Sequence, residues 1–263
     1  FMLTPSASSV KVIEGKTHVF QMCFSDPNQG VGSADYMSEH GIGESVAVIY
    51  RSDDAYSVGI YEKFVSEAAA KGINIVYTGT FEEANKTEFS SQLTAAKQAN
   101  ADVLFLPIYC ESIAPLMTQA ASMGYDVDYF GVDGMDGILE VEGFDTSLAE
   151  GAYLLTPFSA DATDEKTVHF VEAYKAKYNE VPNQFAADAY DCVYALYQAC
   201  TEKGITPEMS AQDVCTALAD DFATGKLVFS GVTGSNMTWD STGAVSKSPM
   251  AVVIKDGKYV LAD

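Results

Sequence analysis

Two phenols and one carboxylate in this sequence could together hold a positively charged ligand. Tyr56, Tyr109 and Asp133 each follow a short apolar run. A carboxylate binds an ammonium group through charge-assisted hydrogen bonds, and aromatic rings add cation–π attraction. The same pattern also fits a purely structural role. In that interpretation Tyr56 caps a helix, Tyr109 packs in a loop and Asp133 solvates a turn.

A second candidate site is the small, hydroxyl-rich segment Ser6-Ala7-Ser8-Ser9. It follows the apolar run Phe1-Met2-Leu3, which we predict to be a strand. Small residues leave backbone N–H groups accessible, and such groups bind a carboxylate. An ordinary helix cap is the alternative interpretation.

Motifs for other kinds of chemistry are missing from the sequence. It has no nucleophile elbow, phosphate-binding loop, dinucleotide fingerprint or zinc-protease motif. His18, His40 and His169 are isolated, so we expect no catalytic or metal-binding role for them. One acidic cluster lacks the spacing of a calcium loop: Asp126, Asp128, Asp133 and Asp136. We therefore predict that the protein is not an enzyme and uses no cofactor and no metal.

Composition excludes further classes of partner. The 263 residues carry 15 basic and 37 acidic side chains, a net charge of −22. Such a surface repels nucleic-acid phosphates and anionic lipid heads, so we expect no nucleic-acid partner. No apolar run is long enough to cross a membrane. The five cysteines form no CxxC pair and have apolar neighbours, so we predict free thiols in the core.

Hydrophobic periodicity predicts alternating strands and helices in the first part of the chain. Apolar, β-branched runs predict strands over 45–50, 73–77, 103–106 and 127–130, with amphipathic helices between them. This alternation is typical of a doubly wound parallel sheet, in which ligands bind at the carboxyl ends of the strands. The two tyrosines and the aspartate follow three of these strands. We therefore expect them to converge.

The alternation of strands and helices stops after residue 157. Helices are predicted over 164–178, 183–203 and 210–221 with no strand between them, which indicates a second lobe. Short strands are predicted over 226–229 and 236–239. The chain should end in a hairpin of strands 250–254 and 258–261, because the Asp256-Gly257 pair between them favours a tight turn.

Four segments, in order, resemble one known family. They are Met2-Leu3-Thr4-Pro5-Ser6-Ala7-Ser8, Phe24-Ser25-Asp26-Pro27-Asn28-Gln29-Gly30, Thr87-Glu88-Phe89-Ser90-Ser91-Gln92-Leu93, and the stretch from Tyr174-Lys175-Ala176-Lys177-Tyr178 to Tyr190-Asp191. With this order and spacing, the chain resembles the substrate-binding proteins of branched-chain-amino-acid-type ABC transporters, which have the class I periplasmic-binding-protein fold.

The resemblance implies an α/β protein with two doubly wound parallel-sheet lobes joined by a three-strand hinge. Residues 26–157 with 250–263 would form the second lobe, and residues 1–25 with 158–249 part of the first. In the family the first lobe begins with further strands before the position of Phe1. The resemblance therefore implies that the first lobe is incomplete in this chain, and that residues precede it.

The resemblance also implies roles for the candidate residues. The Ala7 backbone and the Ser8 hydroxyl, in a loop that begins at Ser6, would hold the carboxylate and ammonium ends of an amino acid. Tyr56 would cover the ligand and Tyr109 would help to clamp it. Asp133 would be the counter-ion of the ammonium group.

The implied function is that of a monomeric extracytoplasmic binding protein. It would capture an amino acid, branched-chain or related, between two lobes and deliver it to an ABC transporter permease. Its location would be the periplasm, or the cell surface as a lipoprotein in a single-membrane bacterium. Three alternatives stay open: a ligand-sensing receptor domain of the same fold, a protein that binds an amide or a small aromatic carboxylate, and an enzyme built on a doubly wound sheet.

Overall fold

The computed structural model describes residues 1–262, which divide into two compact units. The first unit comprises Phe1–Ser25 and Ala162–Pro249, and the second comprises Asp26–Asp161 and Met250–Asp263. The chain therefore passes between the units at residues 25/26, 161/162 and 249/250. Each unit is described separately.

The unit boundary near residue 161 lies four positions beyond the boundary at 157 that the sequence suggested. Two hydrogen bonds hold the intervening segment to the second unit. The Ser159 hydroxyl donates to the Tyr259 carbonyl at 3.1 Å, and the Tyr259 N–H donates to Asp161 Oδ2 at 3.2 Å.

The described residues form nine strands and seven α-helices. The strands are β1 (Met2–Thr4), β2 (Val19–Gln21), β3 (Val46–Arg51), β4 (Ile75–Phe81), β5 (Val103–Leu106), β6 (Asp128–Gly131), β7 (Tyr153–Thr156), β8 (Met250–Lys255) and β9 (Lys258–Leu261). The helices are α1 (Asp26–His40), α2 (Ala55–Lys71), α3 (Ser90–Gln98), α4 (Cys110–Ser122), α5 (Glu165–Tyr178), α6 (Gln184–Glu202) and α7 (Ala211–Ala223). In residues 1–262 no helix combines the length and the apolar character that a membrane span needs.

The second unit is built on a seven-stranded sheet in the order β4-β3-β5-β6-β7-β8-β9. The first five strands are parallel, and β8 and β9 form an antiparallel hairpin at the edge. Asp256 and Gly257 in the hairpin turn both have positive φ, of 52° and 68°. These values are those of the tight turn that the dipeptide predicted.

Helices cover both faces of this sheet, so the predicted doubly wound α/β arrangement is confirmed. Alternate residues of β5 enter different cores. Leu104 and Leu106 pack with α3 and α4 on one face, whereas Val103 and Phe105 pack with α1 and α2 on the other. The strands read as continuous apolar runs because they are buried on both faces. The carboxyl ends of the five parallel strands lie at one edge of the sheet.

The first unit has a two-stranded parallel sheet, β1-β2, and the helices α5, α6 and α7. Its core includes Phe20, Phe222 and Trp239, and the Trp239 indole donates to the Gln21 carbonyl at 2.7 Å. Each helix begins at a residue whose side chain accepts a hydrogen bond from the first turn. These N-caps are Asp164, Asn183 and Ser210.

The strands predicted over 226–229 and 236–239 are wrong. This region contains only isolated bridges, between Phe229 and Met237 and between Trp239 and Val245. A side chain from α6 holds the intervening loop instead: the Asp191 carboxylate accepts from the N–H groups of Val232 and Thr233, at 2.9 and 2.8 Å. These bonds replace the backbone pairing that a ladder would need.

All five cysteines of the described chain are free thiols. Cys23 and Cys192 are buried, and the other three are half-buried. Burial raises the pKa of Cys192 to about 12, so it is a neutral core thiol at physiological pH.

Candidate functional site

The structure brings Tyr56, Tyr109 and Asp133 together at the carboxyl edge of the second unit's sheet. Tyr56 lies in the first turn of α2, after β3. Tyr109 lies between β5 and α4, and Asp133 begins the turn after β6. Because β3, β5 and β6 are adjacent and parallel, these three connections are neighbours.

The Tyr56 hydroxyl is the centre of this cluster. It donates to Asp133 Oδ1 at 2.5 Å and accepts from the Gly134 N–H at 2.9 Å. Burial, and then the Asp133 carboxylate, raise the pKa of Tyr56 well above its ordinary value. The phenol therefore stays protonated and can keep donating to the carboxylate. Asp133 is only 4% exposed, so its charge is held in a site of low dielectric, where an opposite charge is bound strongly.

Tyr109 supplies an accessible aromatic surface beside this carboxylate. Its ring stacks on that of Tyr56 with centroids 4.6 Å apart, and the residue is 37% exposed. The pKa of Tyr109 is raised by burial first and then by the carboxylates of Asp54, Asp133 and Asp26. The Arg51 guanidinium acts in the opposite direction but more weakly than these carboxylates, which leaves the potential around Tyr109 negative. A buried carboxylate, two aromatic rings and a negative potential together suit a cation such as an ammonium group.

Two of the three structural alternatives for these residues differ from what is found. Asp54, not Tyr56, caps α2 by accepting from the Tyr56 N–H. Tyr109 does lie in the loop between β5 and α4, and its ring packs on that of Tyr56. Asp133 is buried and hydrogen-bonded, whereas a residue that solvates a turn would be exposed.

Two further residues belong to this cluster and were not identified from the sequence as site residues. Gln29, in α1, accepts a hydrogen bond from the Asp133 N–H through Oε1 at 3.2 Å. Gly134 must be glycine, since a Cβ there would lie 2.6 Å from the Tyr56 hydroxyl and 2.9 Å from the Ile108 carbonyl. The Asp-Gly pair could have suggested a tight turn, but only the tertiary structure shows what the turn approaches.

In the first unit, the Ser6–Ser9 loop follows β1 as predicted. The Gln21 side-chain amide donates to the Ala7 and Ser9 carbonyls, at 2.7 and 3.1 Å, and the Ala7 N–H donates to Thr4 Oγ1 at 3.1 Å. These bonds fix the shape of the loop. The Ser9 side chain forms no cap for the short 3₁₀ turn that follows it, so the helix-cap alternative is not what the structure shows.

The side chains of this loop differ in accessibility. Ser6 and Ala7 are exposed, whereas Ser8 is 6% exposed. The Ala7 carbonyl has two lone pairs, of which the Gln21 amide uses one. The loop thus offers a hydroxyl and a backbone acceptor that Gln21 holds in place.

A cavity elsewhere in the second unit also combines carboxylates with tyrosines. It has a volume of about 460 Å³, lies at the opposite, amino edge of the sheet, and is lined in part by Tyr125, Asp126, Asp128 and Tyr129. Both of these carboxylates are exposed, so water screens their charge. Asp133 and Asp136 lie beyond the other end of β6. The four acidic residues therefore do not converge on a calcium site, and no described residues form a cluster that could hold a metal.

Known proteins resemble this chain over nearly its whole length. A leucine-, isoleucine-, valine-, threonine- and alanine-binding protein of Pseudomonas aeruginosa is 24% identical over 87% of this chain and 60% of its own. The substrate-binding protein of a branched-chain amino acid transporter from Streptococcus pneumoniae, solved with isoleucine, is 28% identical. Its TM-score is 0.84, covering 99% of this chain and 72% of its own.

A solute-binding protein of an ABC transporter from R. palustris, solved with benzoate, has the same fold at 18% identity, with a TM-score of 0.83. That match covers 98% of this chain and 69% of the other. The chain therefore spans about two thirds of the length of these proteins. Residues 1–258 match the sequence profile of the periplasmic binding proteins. This match covers almost all of the sequence, and the chain belongs to the periplasmic binding protein family.

Proposed function

We propose that this chain binds an amino acid for import by an ABC transporter. The observation that carries the proposal is the buried Asp133 carboxylate, which the Tyr56 hydroxyl holds and the Tyr109 ring flanks. In this role Asp133 binds the ammonium group of the ligand, Tyr56 covers it and Tyr109 helps to clamp it. The P. aeruginosa relative is named for leucine, isoleucine, valine, threonine and alanine, and the S. pneumoniae relative was solved with isoleucine. Both support an amino acid as the ligand.

The other end of the ligand is assigned to the loop of the first unit. Under the proposal, the Ser6 and Ser8 hydroxyls donate to the carboxylate, and the free lone pair of the Ala7 carbonyl accepts from the ammonium group. The Gln21 amide supports this role by fixing the loop before a ligand arrives, which lowers the entropic cost of binding. The two ends of one ligand are then held by two sets of residues.

The negative charge of Asp133 favours an amino acid over an aromatic acid as the ligand. Benzoate carries a carboxylate and no ammonium group, so at this site it would face Asp133 as a like charge. A like charge in a buried site destabilises a complex strongly. An amide or an aromatic acid is therefore the second candidate, to be tested with the same panel.

Delivery to a transporter permease and an extracytoplasmic location complete the proposal. Membership of the periplasmic binding protein family supports the location, and the transporter named for the S. pneumoniae relative supports the delivery role. A receptor domain that binds the same ligands but signals to another partner is the competing role. Ligand uptake by cells that lack only this protein would separate the two, because a transport component is required for uptake and a sensor is not.

We also propose that the first unit is part of a larger lobe. Its sheet has only two strands, and α6 exposes a row of apolar side chains: Val193 is 65% exposed, Tyr194 49% and Tyr197 70%. Soluble proteins rarely expose such a contiguous apolar row to solvent. The solved relatives extend beyond the region that this chain matches, which supports a further segment packing there.

The test of the binding role is thermal unfolding of the full-length polypeptide with a panel of amino acids, amides and small aromatic acids. A ligand at about a hundred times its Kd adds about 2.7 kcal/mol of stability, which raises Tm by about 5 °C or more. We expect a rise with leucine-like amino acids and none with benzoate. A rise with benzoate alone would replace the amino-acid assignment, and no rise with any member would contradict the binding role.

Variants at two aspartates sharpen this test. Asp133→Ala should weaken amino-acid binding at least about thirtyfold, because it leaves the ligand's ammonium buried without its partner. Asp126→Ala is the matched control, since this exposed aspartate lies at the other edge of the same sheet. Near-normal affinity in Asp133→Ala would contradict the assignment of the counter-ion.

A further inference from the structure

A motif at the start of α1 reaches the candidate site through the Gln29 side chain. The sequence Asp26-Pro27-Asn28-Gln29-Gly30 follows the passage from the first unit to the second. Gln29 is completely buried, although glutamine is a residue type that is mostly exposed. A fully buried amide needs a polar contact that offsets its loss of hydration.

The contact of Gln29 is with the backbone of the ammonium-binding residue. Gln29 Oε1 accepts from the Asp133 N–H at 3.2 Å, although the two residues are 104 positions apart. This donor fixes the orientation of the amide, because the Nε2 end could not accept from it. Nε2 has no partner within the described residues, which leaves the bond to Asp133 as the hydrogen bond that retains the side chain.

Two glycines bring α1 close enough for this contact. A Cβ at Gly30 would collide with the Ile60 carbonyl and would lie 2.7 Å from the Phe64 nitrogen, both in α2. A Cβ at Gly59, also in α2, would lie 3.1 Å from the Asp26 Cβ. Close packing therefore fixes the first turn of α1 against α2, the helix that carries Tyr56.

Asp133 is thus held from two helices at once. Tyr56, on α2, holds the carboxylate, and Gln29, on α1, holds the backbone N–H. The turn that carries Asp133 is short, with only one 3₁₀ turn from Asp133 to Met135 to keep its shape. Loss of the Gln29 bond would remove an acceptor from a buried backbone N–H, which is costly.

We propose that Gln29 is a positioning residue that sets the Asp133 carboxylate for the ammonium group of the ligand. This inference rests on the proposed amino-acid-binding function. Because Gln29 is fully buried, its proposed role is not to contact the ligand. Gln29 acts by fixing the backbone that carries the Asp133 carboxylate. Residues packed behind a binding group orient it in this way.

The test is a double-mutant cycle on leucine affinity in the full-length polypeptide, measured by calorimetry. Gln29→Met keeps the length of the side chain and removes its acceptor. We expect it to weaken leucine binding about tenfold, as for the loss of one buried hydrogen bond. In an Asp133→Asn background the same change should cost less than about twofold, because the charge that Gln29 positions is gone.

A matched control lies one turn further along the same helix. Ser33 is also fully buried, and its hydroxyl has no hydrogen-bond partner among residues 1–262. Ser33→Ala should therefore leave leucine affinity unchanged. An equal loss from Gln29→Met in both Asp133 backgrounds would overturn the inference, since it would indicate general damage to the unit. No loss in the wild-type background would overturn it as well.

A second measurement keeps this inference separate from the proposed function. Amide hydrogen exchange at Asp133, in protein without ligand, should be faster in Gln29→Met than in wild type and unchanged in Ser33→Ala. If the wild-type protein binds leucine poorly, the function proposal fails, and the exchange rate still decides whether Gln29 holds the Asp133 backbone. Equal exchange rates in the wild type and Gln29→Met would overturn the inference.

Discussion

At the scale of single residues, the Tyr56 hydroxyl makes the stability of the folded protein depend on pH. The hydroxyl donates to a buried carboxylate and accepts from a backbone N–H. Burial, followed by the charge of Asp133, raises its pKa well above 10.0. Because the folded state holds this proton more tightly than the unfolded chain, the resulting stability is fully present below about pH 10. It is lost as pH rises toward the folded-state pKa.

We therefore expect a difference in alkaline stability between wild type and Tyr56→Phe. At neutral pH the variant should be less stable by about 1–3 kcal/mol, because Asp133 loses a buried hydrogen bond. Above about pH 10 the free energy of unfolding of the wild type should fall more steeply, since only the wild type has this phenol to deprotonate. Urea unfolding between pH 8 and pH 11 measures both effects. Parallel curves would contradict the role given to the Tyr56 proton.

A buried ion pair in the first unit gives a second prediction at this scale. Lys247 Nζ lies 2.7 Å from Asp188 Oδ1, and both side chains are almost fully buried, at 1% and 0% exposure. Lys247→Met should lower the free energy of unfolding by about 3–5 kcal/mol, because it leaves the Asp188 charge buried without a cation. The double variant Lys247→Met, Asp188→Leu should recover most of this loss.

The control for this pair is Lys226, which lies 3.2 Å from Asp220 with both side chains more than half exposed. Lys226→Met should change stability little, because exposed pairs contribute little in water. Chemical denaturation of the variants supplies the comparison. Similar losses in Lys247→Met and Lys226→Met would show that burial does not determine the value of these pairs.

The sequence could predict some of these residues and not others, for a physical reason. Tyr56, Tyr109 and Asp133 each follow an apolar strand, and parallel strands bring their carboxyl ends to one edge. Gln29 reaches Asp133 across 104 residues and Lys247 reaches Asp188 across 59. No periodicity connects such positions, because tertiary packing alone brings them together.

At the scale of elements, the sequence predicted those helices and strands whose ends are set by the residue type at a single position. Gly72 ends α2 in the left-handed conformation at φ 76°, and Asn183 caps α6, as their types suggest. Helix α1 was missed, since it packs through small residues such as Gly30 and Ala34 and its apolar stripe is weak. The segment 226–239 has strand-like composition, but side-chain hydrogen bonds shape it into a loop.

The contact between α1 and α2 predicts how two glycines respond to the same change. Gly30→Ala should lower stability by about 1–3 kcal/mol, because the new methyl meets the backbone of α2 and the helices must separate. Gly59→Ala meets only the Asp26 side chain, so the gain in helix propensity offsets part of the cost. Thermal unfolding of the two variants should rank Gly30→Ala as the less stable. The reverse order would contradict the close packing of α1 on α2.

At the scale of the whole molecule, the two units differ in how completely they cover their apolar surface. The second unit has a seven-stranded sheet with helices on both faces. The first has two strands and an exposed row on α6. The parallel sheet of the second unit could be predicted because its alternating pattern is contained in the chain. What packs on the exposed row of α6 could not be predicted, because no pattern in the sequence identifies it.

The proposal of a larger first lobe predicts opposite effects of one substitution in two lengths of the protein. Val193 is 65% exposed in residues 1–263, so Val193→Ser should leave the stability of this chain nearly unchanged. In a longer polypeptide that carries the further segment proposed for this lobe, the same position should be buried. There the change should cost about 1–2 kcal/mol, which is the transfer free energy of the lost apolar surface.

Val168 provides the comparison, since it is 38% exposed and lies on α5, outside the row on α6. Val168→Ser should have the same small effect in both lengths of the protein. Urea unfolding of the four variants and their parents measures the differences. If Val193→Ser is as harmless in the longer polypeptide as in residues 1–263, the proposed further segment does not pack on α6, and the row is covered by another partner or stays open to solvent.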